Sequence, residues 1–438
     1  MKYKPLIKAT NIKEAMSTFE PRPLMNSELA EFYVDTDKAR DEVIPRLSEI
    51  IEYLNKETPR KILFAGHRGS GKSTELVKLS DKIKDEYYIV NFSVQDELDI
   101  NDISYSDLII LMMEKIAEKA NMDGYIKDES LIKEIYDWFC KTKIIRTEDA
   151  TKTDEGKIGA GAPGIIQQFT GLLVSLTTSM KVSYEERKEI REKVIKRISR
   201  LKEYCDRLIT EIETRLPSDK KLLVIVEDLD KVEVSSLSDM FYKHSGILSE
   251  IETRIIYTVS IFLLNSSYRK LLDPKFCIVT LPMIKIKEMN GDRCDRGINK
   301  IKEIVLRRVE PGILGEDVLG TTVRETGGVL RDVFKVLDIA ASAAYYRKKE
   351  VIDKKDLDYG LKRVKNDYNS SIVGDKKLGI STEDLYKKLK DIYDNKIKKL
   401  PYSDTLALLV NSQALIEYNG EQWYDIHPLV VQLMKDFG

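Results

Sequence analysis

A nine-residue glycine-rich stretch, "GHRGSGKST" from Gly66 to Thr74, constrains the fold of this chain more than any other feature. It fits the pattern G-x-x-x-x-G-K-[ST] at every position. It follows the apolar run Lys61–Ala65 and precedes "TELVKLSDKI", a segment with helical periodicity. A loop of this kind joins a buried strand to a helix. The chain must therefore contain a sheet with at least one helix packed on it.

The residue types of this loop suit a polyphosphate. Glycines at Gly66, Gly69 and Gly71 let the backbone turn so that successive N–H groups point at one anion. The N-terminus of the following helix adds positive potential. Lys72 would reach the outer phosphates, and Ser73 would offer a hydroxyl to Mg²⁺. We therefore predict a site for a nucleoside triphosphate with Mg²⁺, formed by Gly66, His67, Arg68, Gly69, Ser70, Gly71, Lys72, Ser73 and Thr74.

Three carboxylates end a second apolar run, "LLVIVEDLD", which spans Leu222–Asp230. Glu227 and Asp228 are adjacent, and Asp230 follows after one leucine. Beside a bound triphosphate, one acid would orient Mg²⁺ and a neighbour would polarise the attacking water. Strand side chains alternate, so we expect Glu227 and Asp228 to face opposite ways. Lys72 is the expected positive partner of this acidic strand end.

The remaining pattern predicts an α/β architecture. Apolar strands at Tyr87–Val94, Arg254–Ser260 and Phe276–Pro282 alternate with helical segments, which indicates a parallel sheet covered on both faces. Between the second and third strands lies an insertion at about 125–217. Its second half, Ser183–Pro217, is predicted to be one helix of roughly 50 Å at 1.5 Å per residue.

The segment Ile158–Met180 within the insertion carries no charge. Its length would suffice to cross a bilayer, but glutamines, hydroxyl residues and Pro163 dilute its apolar character. We expect a flexible loop leading to a partly buried helix. A segment that docks on a partner or a neighbouring subunit is the alternative, and membrane insertion is the least favoured.

The C-terminal part of the chain changes character twice. Up to about residue 370 it is mostly helical, and Gly327-Gly328 opens a helix whose Arg331 could swing onto the terminal phosphate from a separate lid. Two helical patterns then precede Asn419-Gly420, a strong hairpin signal, so we predict a winged helix. The predicted boundaries are a lead-in at 1–56, a core at 57–285, a helical lid at 286–372 and a winged-helix domain at 373–438.

Taken together, "GHRGSGKST", "LLVIVEDLD", "RIIYTVS" and "GGVLRD" resemble the AAA+ and STAND-type P-loop ATPases, near the origin-recognition-like branch, over about 30–438. The resemblance implies ATP and Mg²⁺ as cofactors. It implies that Glu227 serves Mg²⁺ together with Ser73, that Asp228 is the catalytic base and a further metal-site residue, and that Arg331 is the sensor arginine. Both groups usually have Asp where this chain has Glu227, so the division of labour between the two acids stays open. Arg269 matches a trans-acting arginine finger poorly.

Two functions fit the resemblance. Bacterial relatives include ATPases of defence systems, so the first is a switch ATPase that works as a homo-oligomer and controls an effector protein, possibly in anti-phage defence. An aspartate base reaches less far than a glutamate, which implies slow turnover. The alternative is a DNA-engaging ATPase resembling an origin loader.

Charge distribution bears on the choice between these functions. Leu400–Met434 contains no Lys or Arg, which favours a protein-facing winged helix over one that contacts DNA. Seven basic residues on the insertion helix are the remaining nucleic-acid candidates, but they alternate with glutamates, so we expect a solvated face. They are Arg187, Lys188, Arg191, Lys193, Lys196, Arg197 and Arg200.

Bulk composition limits the class of protein. With 42% hydrophobic and 33% charged residues and a net charge of −1, the chain has core material but no overall attraction to nucleic acid or anionic membrane. Its three histidines argue against a histidine-based metal site. Four cysteines without a CxxC pair, and an N-terminus without an apolar segment after "MKYKPLIKAT", predict a reduced, cytoplasmic protein.

Overall fold

A five-stranded parallel sheet organises the chain. The computed structural model describes residues 4–40, 42–53, 61–142, 164–217, 220–418 and 422–437. The sheet has the order β2-β3-β4-β1-β5, so the first strand lies between the last two, and all pairs are parallel. This confirms the predicted α/β fold. The strands are β1 (Lys61–Gly66), β2 (Tyr87–Ser93), β3 (Lys221–Glu227), β4 (Arg254–Ser260) and β5 (Phe276–Thr280).

Helices cover both faces of the sheet. The described α-helices are α1 (Ile12–Thr18), α2 (Leu29–Phe32), α3 (Val43–Tyr53), α4 (Lys72–Ile83), α5 (Val94–Glu97), α6 (Tyr105–Met122), α7 (Glu129–Lys141), α8 (Ile165–Val182), α9 (Tyr184–Ile195), α10 (Ile198–Arg215), α11 (Val234–Ser238), α12 (Ser245–Ser249), α13 (Phe262–Asn265), α14 (Asp295–Arg308), α15 (Val318–Glu325), α16 (Leu330–Tyr346), α17 (Lys354–Ser371), α18 (Thr382–Asp394), α19 (Asp404–Asn411) and α20 (Pro428–Phe437). Strands β1 and β3 are apolar along most of their length because water reaches neither face.

Strand β3 sends alternate side chains into two different cores. Val224 and Val226 pack into the larger core, whereas Leu223 and Ile225 pack into a smaller core that also contains the buried face of α4. Because the period of a strand is two residues, Glu227 points to the same face as Ile225. The acid at the end of β3 therefore lies on the side of the sheet that carries α4.

The second half of the insertion is two helices, not the single long helix that we predicted. Helices α9 and α10 are separated at Arg197, whose backbone (φ −134°, ψ 28°) is not helical. Helix α9 packs against α8 and α6, whereas α10 packs against α6, α7 and β3. The two helices follow different surfaces, and the turn at Arg197 lets each bury its own apolar stripe.

The uncharged segment is mostly a packed helix. Its first residues, 158–163, lie outside the described residues. The rest forms α8, whose Phe169, Leu173 and Met180 are fully buried against α6 and α7. None of the helices in the described part of the chain is both long and apolar enough to cross a membrane.

The C-terminal unit, which we define as residues 373–437, contains α18, α19 and α20 and a two-stranded antiparallel sheet. Its strands are β6 (Leu415–Tyr418) and β7 (Trp423–Ile426), with Tyr418 paired to Trp423. The predicted hairpin turn at Asn419-Gly420 lies outside the described residues. Met283, just after β5, forms a bridge with Tyr418, so this unit packs directly on the core.

Candidate nucleotide-binding site

The glycine-rich loop has the backbone conformation that its sequence predicts. Gly69 (φ 77°) and Gly71 (φ 98°) are left-handed, a conformation that residues with a side chain rarely adopt. Gly71 caps α4, which begins at Lys72, so the helix N-terminus opens directly onto the loop. A Cβ at Gly66 would lie 2.7 Å from the carbonyl oxygen of Leu281, which leaves room only for glycine. The loop is a cradle of backbone amides suited to an anion.

Lys72 pairs with Asp230 rather than with the two acids that precede it. Its buried Nζ lies 2.7 Å from Oδ2 of Asp230 and donates to the carbonyl oxygens of Gly66 and His67, each at 3.0 Å. Burial by itself would raise the pKa of the Asp230 carboxyl, but Lys72, with smaller contributions from Arg68 and Lys231, outweighs that effect and the pKa is lowered. Asp230 thus holds Lys72 in place, a role that the strand pattern did not assign to it.

Glu227 and Ser73 lie close together at the edge of the sheet. Glu227 accepts a hydrogen bond of 2.9 Å from Nδ2 of Asn91 on the neighbouring strand. Burial raises the pKa of the Glu227 carboxyl, and the nearby Ser73 hydroxyl and Asn91 amide oppose the shift. A hydroxyl and a carboxylate near each other at the start of α4 are ligand types that suit Mg²⁺. Two of the three predicted metal-site residues are therefore adjacent.

Asp228 lies beyond the end of the strand. Its backbone is left-handed (φ 68°), so the expected alternation with Glu227 no longer applies at this position. Its carboxylate accepts a hydrogen bond of 2.6 Å from Oγ of Ser93 and forms an ion pair of 2.8 Å with Nζ of Lys231. Asp228 still lines the cavity beside the loop, but it is engaged by other side chains.

Arg331 reaches the loop from the predicted lid. It is the second residue of α16, and a Cβ added at Gly69 would collide with its Cβ and lie 3.1 Å from its Nε. The absence of a side chain at Gly69 therefore makes room for Arg331. Both residues line one cavity of about 210 Å³ together with Lys72, Asp228 and Asp230.

The cavity carries an excess of positive charge. Six of the side chains that line it are cationic and three are acidic, an excess that suits a polyanion.

The lead-in forms another wall of this cavity. The backbone N–H of Leu24 donates to Oγ1 of Thr74 at 3.2 Å, and the hydroxyl of Tyr33 donates to Oε2 of Glu75 at 2.9 Å. Arg40 lines the cavity too. No motif links these residues to the loop, so sequence reasoning did not find them.

The C-terminal unit contacts the other side of the loop. The backbone N–H of Glu417 donates to Nε2 of His67 at 2.8 Å, and Nε2 of Gln413 donates to the carbonyl oxygen of Arg68 at 2.7 Å. Burial, together with the charge of Lys72, lowers the pKa of His67 to about 3, so its imidazole is neutral. A neutral ring is what a hydrogen-bond acceptor at Nε2 requires.

The sequence predicted that the basic residues of the insertion form a solvated face, but two of them are ion-paired within the chain. Arg187 is buried and pairs with Asp99 (3.1 Å) and Asp102 (3.0 Å), while Arg191 pairs with Asp102 and Asp107. These ion pairs hold α9 against the segment that leads into α6. Two of the seven candidates for contact with nucleic acid are therefore engaged within the chain.

Arg269, the other arginine considered above, faces the C-terminal unit. Its guanidinium lies 5.3 Å from the ring centre of Tyr402 and 4.0 Å from Asp273.

A sequence-family model matches part of this chain. Residues 40–249 match the sequence family described as the KAP family P-loop domain. The match includes the glycine-rich loop and the acidic end of β3, and the chain contains a P-loop NTPase domain. No match was found among curated proteins.

Several solved structures are similar to this chain over most of its length, with low sequence identity and low TM-scores. Drosophila ORC bound to DNA is 9% identical, with coverage of 99% of this chain and 95% of that one and a TM-score of 0.42. The Walker-type ATPase of Pyrococcus abyssi is 14% identical, with coverages of 95% and 99% and a TM-score of 0.41. Cdc6p from Pyrobaculum aerophilum is 13% identical, with coverages of 92% and 99% and a TM-score of 0.35.

Proposed function

We propose that this chain binds ATP with Mg²⁺, hydrolyses it slowly, and acts as a switch that controls a partner protein. The observation that carries the proposal is the convergence of the loop and Arg331 on one cavity. Arg331 belongs to a helix outside the five-stranded sheet. A ligand at the loop would therefore contact two parts of the chain at once, and its loss would release one of them.

The polar groups of the cavity divide into binding and catalytic roles. Loop amides and Lys72 hold the phosphates, and Lys72 exchanges part of its contact with Asp230 for phosphate oxygens. Ser73, which lines the cavity, and Glu227, at the end of β3 beside it, would hold Mg²⁺, which would supply positive charge against the phosphate oxygens. Among the described residues, no group of three or more His, Cys, Asp or Glu is arranged to hold a metal ion alone. Mg²⁺ is commonly bound by one or two carboxylates plus substrate phosphates, which this arrangement fits.

The position of Asp228 supports slow turnover. Ser93 and Lys231 each hold one oxygen of its carboxylate, so these two contacts, and not an attacking water, set the orientation of the carboxylate. Its side chain is also one methylene shorter than that of a glutamate. Both features favour a long-lived bound state, which suits a switch better than a motor.

Contacts around Gly327 provide a route from the nucleotide to the rest of the chain. Gly327 (φ 62°) and Gly328 (φ 79°) precede α16, and the hydroxyl of Tyr418 in the C-terminal unit donates to the carbonyl oxygen of Gly327 at 2.9 Å. A change in the position of Arg331 would therefore shift the backbone that the C-terminal unit contacts. We propose that this unit is a winged helix that binds a protein partner. On the resemblance to defence ATPases, we extend the proposal to a cytoplasmic homo-oligomer acting with an effector protein in bacterial anti-phage defence.

Calorimetric titration with ATP and Mg²⁺ tests the proposed function. Lys72→Ala should abolish binding because it removes the cation that faces the outer phosphates. The matched control is Lys82→Ala, an exposed lysine near the end of the same helix, which should bind as the wild type does. Because Lys72→Ala leaves Asp230 buried without its partner, the double variant Lys72→Met/Asp230→Asn checks that any loss is not misfolding. Wild-type affinity in either Lys72 variant would overturn the proposal.

A mass measurement with and without ATP tests the switch. We expect the assembly state to change with ATP. A complex with duplex DNA that forms only with ATP and weakens steeply between about 50 and 200 mM salt would instead favour the origin-loader alternative.

A further inference from the structure

Arg40 is a buried guanidinium with unused hydrogen-bonding capacity. It follows the short turn Asp37–Ala39 in the lead-in, and only 2% of its surface is exposed. Its Nε and Nη1 have no hydrogen-bond partner among the described residues. Buried arginines are normally paired, because an unsatisfied charged donor loses its hydration without compensation.

The nearby carboxylate does not satisfy Arg40. Nη1 lies 3.9 Å from Oε1 of Glu75, which is too long for a hydrogen bond. Glu75 already accepts hydrogen bonds from Tyr33 at 2.9 Å and Thr36 at 3.3 Å. Burial lowers the pKa of Arg40 and raises that of Glu75, the directions expected when neither charge is fully compensated. The pair thus leaves donor groups of Arg40 available.

These donor groups lie at the nucleotide loop. Arg40 lines the same cavity as Lys72 and Arg331. Its Nη1 is 3.8 Å from the position that a Cβ on Gly71 would occupy, and Gly71 is the N-cap of α4. Arg331 approaches the loop at Gly69, so two arginines from different segments reach the loop two residues apart.

We propose that Arg40 donates its unused N–H groups to a phosphate oxygen of the nucleotide held by the loop, as a binding residue supplied by the lead-in. The proposal rests on the proposed function, because it requires a phosphate at the loop. A guanidinium presents its donors in a planar fork that matches phosphate oxygens, and the bound ligand would complete the hydrogen bonding of this buried cation. The residues that precede the sheet are then part of the nucleotide site.

Arg40→Met, Arg40→Lys and Glu75→Gln test this inference in the full chain. For each variant, ADP affinity is measured by titration and the melting temperature is measured with and without ADP. We expect Arg40→Met to weaken ADP binding by at least about tenfold, the scale of a charge-assisted hydrogen bond. Its melting temperature without ADP should stay close to that of the wild type, because an incompletely satisfied buried cation is removed while Glu75 keeps its hydrogen bonds from Tyr33 and Thr36. The ADP-induced rise in melting temperature should shrink. Glu75→Gln should leave ADP affinity within about twofold, because Arg40 remains.

The outcomes separate this inference from the proposed function. If the wild type binds ADP and Arg40→Met binds it equally well, Arg40 does not contact the phosphate and the inference fails alone. If Glu75→Gln weakens ADP binding as much as Arg40→Met does, Arg40 only supports Glu75, which also overturns it. If the wild type binds neither ADP nor ATP, both proposals fail. Should Arg40→Met not fold, Arg40→Lys decides: weaker ADP binding at an unchanged ligand-free melting temperature supports the phosphate contact, and unchanged affinity refutes it.

Discussion

Acidification should lower the free energy of unfolding through one histidine at the contact between the C-terminal unit and the loop. His67 accepts a hydrogen bond from the backbone N–H of Glu417 and is buried, which lowers its pKa from 6.5 to about 3. The folded pKa lies below the unfolded one, so this stabilisation is complete above about pH 6.5 and is lost as the pH falls toward 3. Protonation of Nε2 would also remove the acceptor that Glu417 uses.

The expected magnitude follows from the two pKa values. Between about pH 7.5 and pH 5.5 the unfolded histidine takes up a proton while the folded one does not. This difference lowers the free energy of unfolding by about 1.4 kcal/mol. The result is the same for any folded pKa below about 4.5, so it depends only on His67 staying neutral in the folded state.

Urea unfolding at the two pH values measures this effect. The chain has two tryptophans, and Trp423 lies in the C-terminal unit, packed with Tyr418 and Met283. A Trp138→Phe background leaves Trp423 fluorescence as the reporter of that unit. The comparison is between this background and the same protein with His67→Gln, whose amide oxygen can accept from Glu417 but does not titrate in this range. Other groups contribute equally to both proteins and cancel.

The histidine-containing protein should lose about 1.4 kcal/mol more than the glutamine variant between the two pH values. An equal loss in both proteins would refute the argument, because His67 would then be protonated in the folded state or exposed to solvent. A larger loss in the glutamine variant would show that the contact with Glu417 is not the determinant.

Two further predictions concern the cavity. Arg331→Ala should keep ATP affinity within about tenfold but lose ATP-dependent assembly or turnover, measured by light scattering and phosphate release; normal hydrolysis would remove Arg331 from the site. Asp228→Asn should bind ATP and Mg²⁺ yet hydrolyse at least about tenfold more slowly, whereas Glu227→Gln should weaken the Mg²⁺ dependence of binding; the reverse pattern would make Glu227 the base.

Local sequence was sufficient for the parts of the site that depend on neighbouring residues. The loop from Gly66 to Thr74 needs left-handed glycines at defined positions and a helix directly after them, and both requirements are properties of a short stretch of chain. Strand β4 spans the predicted Arg254–Ser260 because its apolar, β-branched run is bounded by polar segments. The two-residue period of β3 likewise placed Glu227 on the face of α4, where it lies near Ser73.

The sequence could not reveal at which residue a periodic pattern of apolar side chains stops corresponding to one helix or one strand. The apolar repeat of the insertion continues across Arg197, so periodicity predicted one helix where two surfaces require two. The strand pattern at the acidic cluster likewise extends no further than Glu227. The left-handed backbone at Asp228 redirects the chain, and Asp230 rather than either predicted acid becomes the partner of Lys72.

Contacts between distant segments were decided by the tertiary structure alone. Glu417 reaches His67 across 350 residues, and Arg40 reaches the loop from a segment with no motif that ties it to nucleotide binding. A motif records only what neighbouring residues must do to form a loop and bind an anion. Which other segments close around that anion depends on how complete helices and sheets pack, and that is set by burial summed over the whole core.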